Sequence, residues 1–255
     1  MKTILVCLLL SVAIAHANPC NSPVYLTFDT GNMAVAHFVA DTLRKHQIKA
    51  TFFLANEKTT RGDFSLDDSW SDFWKGLQKD GHAFGNHTYY HTYYMKDLAA
   101  QRVQVKSQFG PRAGQLQDYS QQDLCADLGK VDRQFRKMTG RSLDPIWRAP
   151  GGKTSDRYTR MGHACGYSHV GWSQAGFLGD ELSSEKYPNE QLLQKALKAI
   201  KPGDILMAHL GIWSRKDPWA PAVLEPLILG LKAKGLCFST ITELQQHPQV
   251  SRTTP

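Results

Sequence analysis

The chain has 255 residues, with 30 Lys and Arg against 23 Asp and Glu, ten histidines and five cysteines. A formal charge of +7 dispersed without any Lys/Arg-rich block excludes a nucleic-acid arm and points to solubility, or to attraction toward an anionic envelope polymer. No Gly/Ser/Pro linker and no internal repeat divides the chain, so a single domain over residues 18–255 is expected.

The first 17 residues carry Lys2 as their only charge, then an apolar run, then Ala15-His16-Ala17, a small-x-small cleavage pattern. The run is too short to span a bilayer. Residues 1–17 therefore predict a secretory signal peptide, a periplasmic or secreted product and no membrane attachment after cleavage. Asn18-Pro19 before Cys20 is a poor match to lipoprotein processing. Cleavage removes Lys2 and Cys7, leaving 29 basic against 23 acidic residues and the cysteines Cys20, Cys125, Cys165 and Cys237. An even number in an exported chain, with no CxxC clip, favours disulfides over metal ligation. Three pairings are open, beside free buried thiols. Cys20–Cys237 with Cys125–Cys165 is preferred, since the first joins chain ends that meet in a closed barrel and the second joins neighbouring helices.

Val24-Tyr25-Leu26-Thr27-Phe28 predicts a strand ending at the turn signal Asp29-Thr30-Gly31. Residues 33–46 show apolar positions at helical spacing, and Ala50-Thr51-Phe52-Phe53-Leu54 returns to strand. Strand, helix, strand implies a parallel sheet with ligands at the carboxyl ends of its strands, where Asp29 falls. Residues 56–70 are polar and irregular. A helix over 72–79 precedes a brief strand, His82 to Gly85, which delivers Asn86-His87-Thr88-Tyr89-Tyr90-His91. Residues 92–118 show little periodicity and predict an excursion over the sheet, its aromatic start at Tyr93 and Tyr94 able to line a groove, or else a plain surface insertion.

An amphipathic helix is expected over 120–139, stopped by Gly140. The strand at Pro145 to Trp147 runs into Arg148-Ala149-Pro150-Gly151. A helix at 155–165, a strand at 168–172, a helix at 189–200 and a strand from Asp204 to Ala208 that ends at His209 follow. A last helix at 222–234 precedes Cys237 to Ile241. Strands and helices alternate throughout, a (β/α) barrel pattern.

Histidines four apart fall on one side of a helical turn, and Zn²⁺ accepts imidazole nitrogen readily. A catalytic zinc takes about three protein ligands and keeps one position for water, so His87 and His91 need a partner from elsewhere in the chain. Singly, each polar residue has a plainer reading: Asp29 a turn residue, Arg148 a surface ion-pair partner, His209 a packed core histidine, the tryptophans core or wall.

With these residues placed, the chain resembles the NodB-type polysaccharide deacetylases of carbohydrate esterase family 4, from Val24 to about Leu244. Thr27-Phe28-Asp29-Thr30-Gly31 stands where that family has T-F-D-D-G. His87-Thr88-Tyr89-Tyr90-His91 matches H-[ST]-x-x-H, Arg148-Ala149-Pro150-Gly151 matches R-x-P-x, and Leu206-Met207-Ala208-His209 stands near L-x-H. The resemblance implies an α/β fold, a distorted and incomplete (β/α) barrel, and metal-dependent hydrolysis of N- or O-acetyl groups on a glycan such as chitin, peptidoglycan or an exopolysaccharide. It implies Asp29 as base, Arg148 as the residue orienting it, His209 as acid, and His87 and His91 as ligands of a divalent metal, Zn²⁺ first. Trp213, Pro150 and Tyr89 are expected to line the substrate site, and a monomer is expected.

Thr30 departs from the pattern, because the family's second aspartate is the metal's carboxylate ligand. Two neutral histidines alone predict weaker metal retention, unless water or an acidic residue from another loop fills the gap. Thr30→Asp is then expected to raise metal affinity. The family's aspartate that supports the acid histidine has no clear match either, Asp180 standing at the wrong spacing. Two rivals follow: a glycan-binding pseudoenzyme without metal-dependent catalysis, and a hydrolase of small amides or esters.

Overall fold

A computed structural model describes residues 20–246; the expected signal peptide lies outside the described residues. In chain order the elements are β1 (Pro23–Asp29), α1 (Ala36–Lys45), β2 (Thr51–Leu54), α2 (Ser71–Lys79), β3 (Ala83–Asn86), β4 (Thr92–Asp97), β5 (Val103–Ser107) and β6 (Leu116–Tyr119). Then come α3 (Gln121–Thr139), β7 (Ile146–Trp147), α4 (Asp156–Ala164), β8 (Ser168–His169), α5 (Asn189–Ala199), β9 (Ile205–His209), α6 (Glu225–Ala233), β10 (Cys237–Phe238) and α7 (Ile241–Gln246).

β1 is the centre of a parallel sheet. β9 pairs with it from Tyr25 to Asp29, β2 takes its last three residues, and β10 takes Pro23 and Val24. From β2 the sheet continues through β3 and β7 to β8. Between β8 and β9 it curls without closing. That gap is spanned by irregular chain with one isolated parallel bridge, Phe177 to Met207. The architecture is an α/β fold with a distorted, incomplete barrel.

The period of two along β1 divides its side chains by task. Val24, Leu26 and Phe28 enter the large core shared with the surrounding helices, whereas Tyr25 packs with Phe53 and Ile146 in a separate small cluster. Thr27 and Asp29 continue the row of Tyr25, so that row becomes polar toward the carboxyl end. All seven residues of β1 are buried, as expected for a parallel strand covered on both faces.

α3 shows how local signals bound an element. Ser120 and Asp123 form a reciprocal capping box, and Gly140 ends the helix in the left-handed region at φ +77°. Leu124 and Leu128 pack with Val103, Val105 and Trp147, while Val131, Phe135 and Met138 enter the main core. Each such buried side chain contributes about 1.5–3 kcal/mol.

Residues 92–118 differ from expectation, because β4, β5 and β6 form a three-stranded antiparallel sheet. Its apolar alternation is limited to Val103 and Val105, both buried, and the β4–β5 register shifts between Tyr94 and Lys96, so the period of two is broken within a single strand. Both preferred disulfides are present, Cys20–Cys237 and Cys125–Cys165, with Cα–Cα distances of 5.7 and 5.1 Å.

Candidate active site

Neighbouring parallel strands end in register at the same edge, and there the chain places its chemistry. Asp29 and His209 are partners across the β1–β9 pairing. Asn86, the last residue of β3, pairs with Trp147 of β7, so His87 and Arg148 leave their strands side by side.

Arg148 is completely buried, unlike a surface ion-pair residue. Its Nη1 donates to Asp29 Oδ1 and to Thr27 Oγ1, both at 2.8 Å, and its Nε and Nη2 donate to the carbonyls of Val170 and Gly171. The guanidinium lies 4.1 Å from the Phe53 ring centroid. With its planar fork so engaged, it holds one orientation. Burial alone would raise the pKa of Asp29, but the charges of Arg148, His87 and His209 outweigh it and hold the carboxyl below its usual range.

His209 rests on Asp180. One Asp180 oxygen accepts from the His209 backbone N–H at 2.7 Å, and the carboxylate lies 3.1 Å from ring Nδ1. Burial opposes charging this imidazole, yet Asp180, Asp29 and Glu181 together push its pKa up to about 10. At neutral pH it is an imidazolium. Asp180, which the motif spacing left unassigned, thus stands against the histidine. Glu181 lies beyond it, 3.9 Å from Nε2.

The His87–His91 stretch is a turn and not a helix. Thr88 and His91 take positive φ of 61° and 48°. The turn is held by side chains: Asn86 Oδ1 accepts from Thr88 N, Asp127 Oδ1 from Tyr89 N, and Thr88 Oγ1 from Thr92 N. These bonds replace the helical ladder and still bring the two imidazole centroids to 5.0 Å. His87 Nδ1 donates to the Arg148 carbonyl at 2.9 Å, which leaves Nε2 as the lone-pair nitrogen, 3.5 Å from Asp29 Oδ2. Burial first, and His91 with it, push His87 down to about 4, so it is neutral at neutral pH.

A further buried carboxylate stands here that the motifs did not indicate. Glu57 Oε1 accepts from Thr30 Oγ1 at 2.6 Å and from Gly31 N at 2.7 Å. Burial would raise its pKa, but His91, the Thr30 hydroxyl, His87 and the Gly31 amide lower it. Two imidazoles and a carboxylate are a donor set that first-row divalent ions accept, and His91 Nδ1 is buried without a hydrogen-bond partner. Among the described residues, no three His, Cys, Asp or Glu side chains already form a cage.

A cavity of about 90 Å³ opens onto this cluster, lined by Asp29, Glu57, His91, Glu181, Met207 and His209, with Tyr93, Trp172 and Trp213 among its aromatic residues. That is far below the ~300–1,000 Å³ of a cleft that engulfs a drug-sized ligand. It has room for a small group only. Trp213 is 60% exposed there. Tyr89 and Pro150 do not line it. Tyr89 packs on the main core beside Tyr90, because the left-handed Thr88 turns the chain, and Pro150 is buried while Gly151 meets the cavity.

The polysaccharide deacetylase profile matches residues 16–170. The chain belongs to the polysaccharide deacetylase family. It is 28% identical over 222 residues to the peptidoglycan-N-acetylmuramic acid deacetylase PdaA of Bacillus subtilis, covering 87% of this chain and 70% of that one. It is 36% identical over 236 residues to a peptidoglycan-N-acetylglucosamine deacetylase of Bacillus cereus, covering 92% and 72%. Among solved structures, a CE4-family pseudoenzyme from Bacillus anthracis superposes with a TM-score of 0.64 at 22% identity, over 89% of this chain and 66% of that one, a likeness of fold.

Proposed function

We propose that this protein is a hydrolase that removes acetyl groups from an extracellular glycan, with Asp29 as base and His209 as acid. The observation that carries the reading is the registered pair Asp29 and His209 on adjacent strands, each backed by a buried partner of opposite charge. A divalent ion at His87 and His91, when bound, supplies an acidified water and a polarised acyl carbonyl. Asp29 takes the proton of the attacking water. Arg148 keeps that carboxylate ionised and aimed, at some cost in basicity. The His209 imidazolium, held charged by Asp180, gives its proton to the departing amine or alkoxide. Base and acid each contribute roughly 10²- to 10⁴-fold. The names of the relatives, deacetylases of peptidoglycan and chitooligosaccharide, support an acetylated amino-sugar polymer as substrate. The leader-like first 17 residues and the two disulfides support export to the periplasm or medium.

A second reading, a glycan-binding pseudoenzyme, is favoured by Thr30 in the first motif and by the lack of a ready three-donor cage among the described residues. Metal content and acetate release separate the two. Protein purified without added zinc and then given one equivalent should release acetate from N-acetylglucosamine oligomers faster than from simple acetyl esters. Oligomer binding without zinc uptake or acetate release would establish the binder, and a preference for simple esters would contradict a glycan substrate.

A further inference from the structure

Residue 30 offers a hydroxyl where the family pattern offers a carboxylate, yet a carboxylate lies against it. Glu57 follows β2 in the loop over residues 55–67 and is only 7% exposed. Both hydrogen bonds of its carboxylate fall on Oε1, from Thr30 and Gly31, and Oε2 makes none among the described residues. The Thr30 hydroxyl is itself fixed, accepting from Ala55 N at 3.1 Å while donating to Glu57. No lysine or arginine pairs with Glu57 among the described residues, and a buried carboxylate is ordinarily neutralised by a basic partner or by a metal ion. The groups that share the cavity wall with it include His91, whose Nδ1 has no partner.

We propose that Glu57 supplies the carboxylate the first motif lacks, completing with His87 and His91 a two-histidine, one-carboxylate site for a divalent cation, and that Thr30 holds this ligand in place. The inference rests on the metal-assisted reading above and makes it specific to this chain. Position 30 then acts through Glu57. The expectation that Thr30→Asp by itself tightens metal binding is replaced, because that change sets two carboxylates within hydrogen-bond distance of each other.

The test is zinc affinity, measured by calorimetry on chelator-treated protein with no substrate present. Glu57→Gln keeps the shape and the Thr30 contact but loses the charge, and should weaken zinc binding by more than roughly tenfold. Thr30→Asp combined with Glu57→Gln returns a carboxylate to position 30 and should recover most of the affinity, which also shows the fold is intact. Parental zinc affinity in Glu57→Gln overturns the assignment, whatever the activity. Glu57-dependent zinc binding without acetate release would overturn the hydrolase reading and leave this assignment standing.

Discussion

Asp180 sets the protonation state of His209, and its removal has a defined sign. The imidazole pKa is raised to about 10, so in the proposed reaction His209 carries a proton to give across the neutral range and loses it as pH rises through about 10. Its contribution to folding runs the same way, being complete below the ordinary value near 6.5 and lost as pH climbs through the raised one. Asp180→Asn removes the largest cause of the rise. The alkaline limb of the pH–kcat/KM profile for acetate release should move from near 10 toward neutrality, and an unchanged limb would remove His209 as the acid. At this scale the sequence was legible where a polar residue ends a short apolar strand, as Asp29, Arg148 and His209 do. Glu57 sits in an aperiodic stretch, and only the approach of Thr30 and Gly31 from β1 gives it a role. Asp180 was obscured for the same reason, since its partner is 29 residues away and no spacing rule connects a loop carboxylate to a strand end.

The loops after β1 and β9 must pass close to each other for Asp29 and His209 to face one cavity. Gly31 makes this passage with φ +63°, and a Cβ there would stand 2.1 Å from the Gly211 carbonyl oxygen. The neighbouring bond from Asn32 N to that oxygen fixes the approach. Gly31→Ala should therefore cost more than the ~1–2 kcal/mol of a left-handed alanine alone, since backbone must also move. Urea melts check the stability loss, and a midpoint within error of the parent would mean the loops are free to separate. The alternation of strands and helices was legible because each strand is short, apolar and bounded by turn residues. The His87–His91 stretch departs from the helical spacing of its histidines because its order comes from Asn86, Thr88 and Asp127 side chains, the last from α3, and not from a local period. The β4–β6 sheet is not legible in the sequence because few of its residues alternate before a bulge or a glycine-containing loop interrupts them.

The described residues form an incomplete barrel tied at two places. Cys20–Cys237 joins the start of β1 to β10, across a separation of 217 residues, and Cys125–Cys165 joins α3 to the end of α4. The second clamps two helices that flank β7, the strand that delivers Arg148. Replacing Cys125 and Cys165 together by serine should lower unfolding free energy by about 2–4 kcal/mol in denaturant melts, a loss of chain constraint in the unfolded state. No change would mean the bridge spans a region that opens independently of the barrel.

In the proposed reaction Asp29 acts as the base between the guanidinium of Arg148 and the imidazole of His87. Asp29→Asn keeps the shape and an acceptor for Arg148 Nη1; because it still removes the charge opposite a buried guanidinium, at a cost of up to about 3–5 kcal/mol, a urea melt of the variant must accompany the kinetics. The deciding measurement is acetate release from an N-acetylglucosamine oligomer by zinc-loaded parent and Asp29→Asn proteins, with oligomer affinity measured in parallel. A fall of roughly 10²- to 10⁴-fold in kcat at near-unchanged affinity is the predicted result. Equal release by both proteins would contradict it.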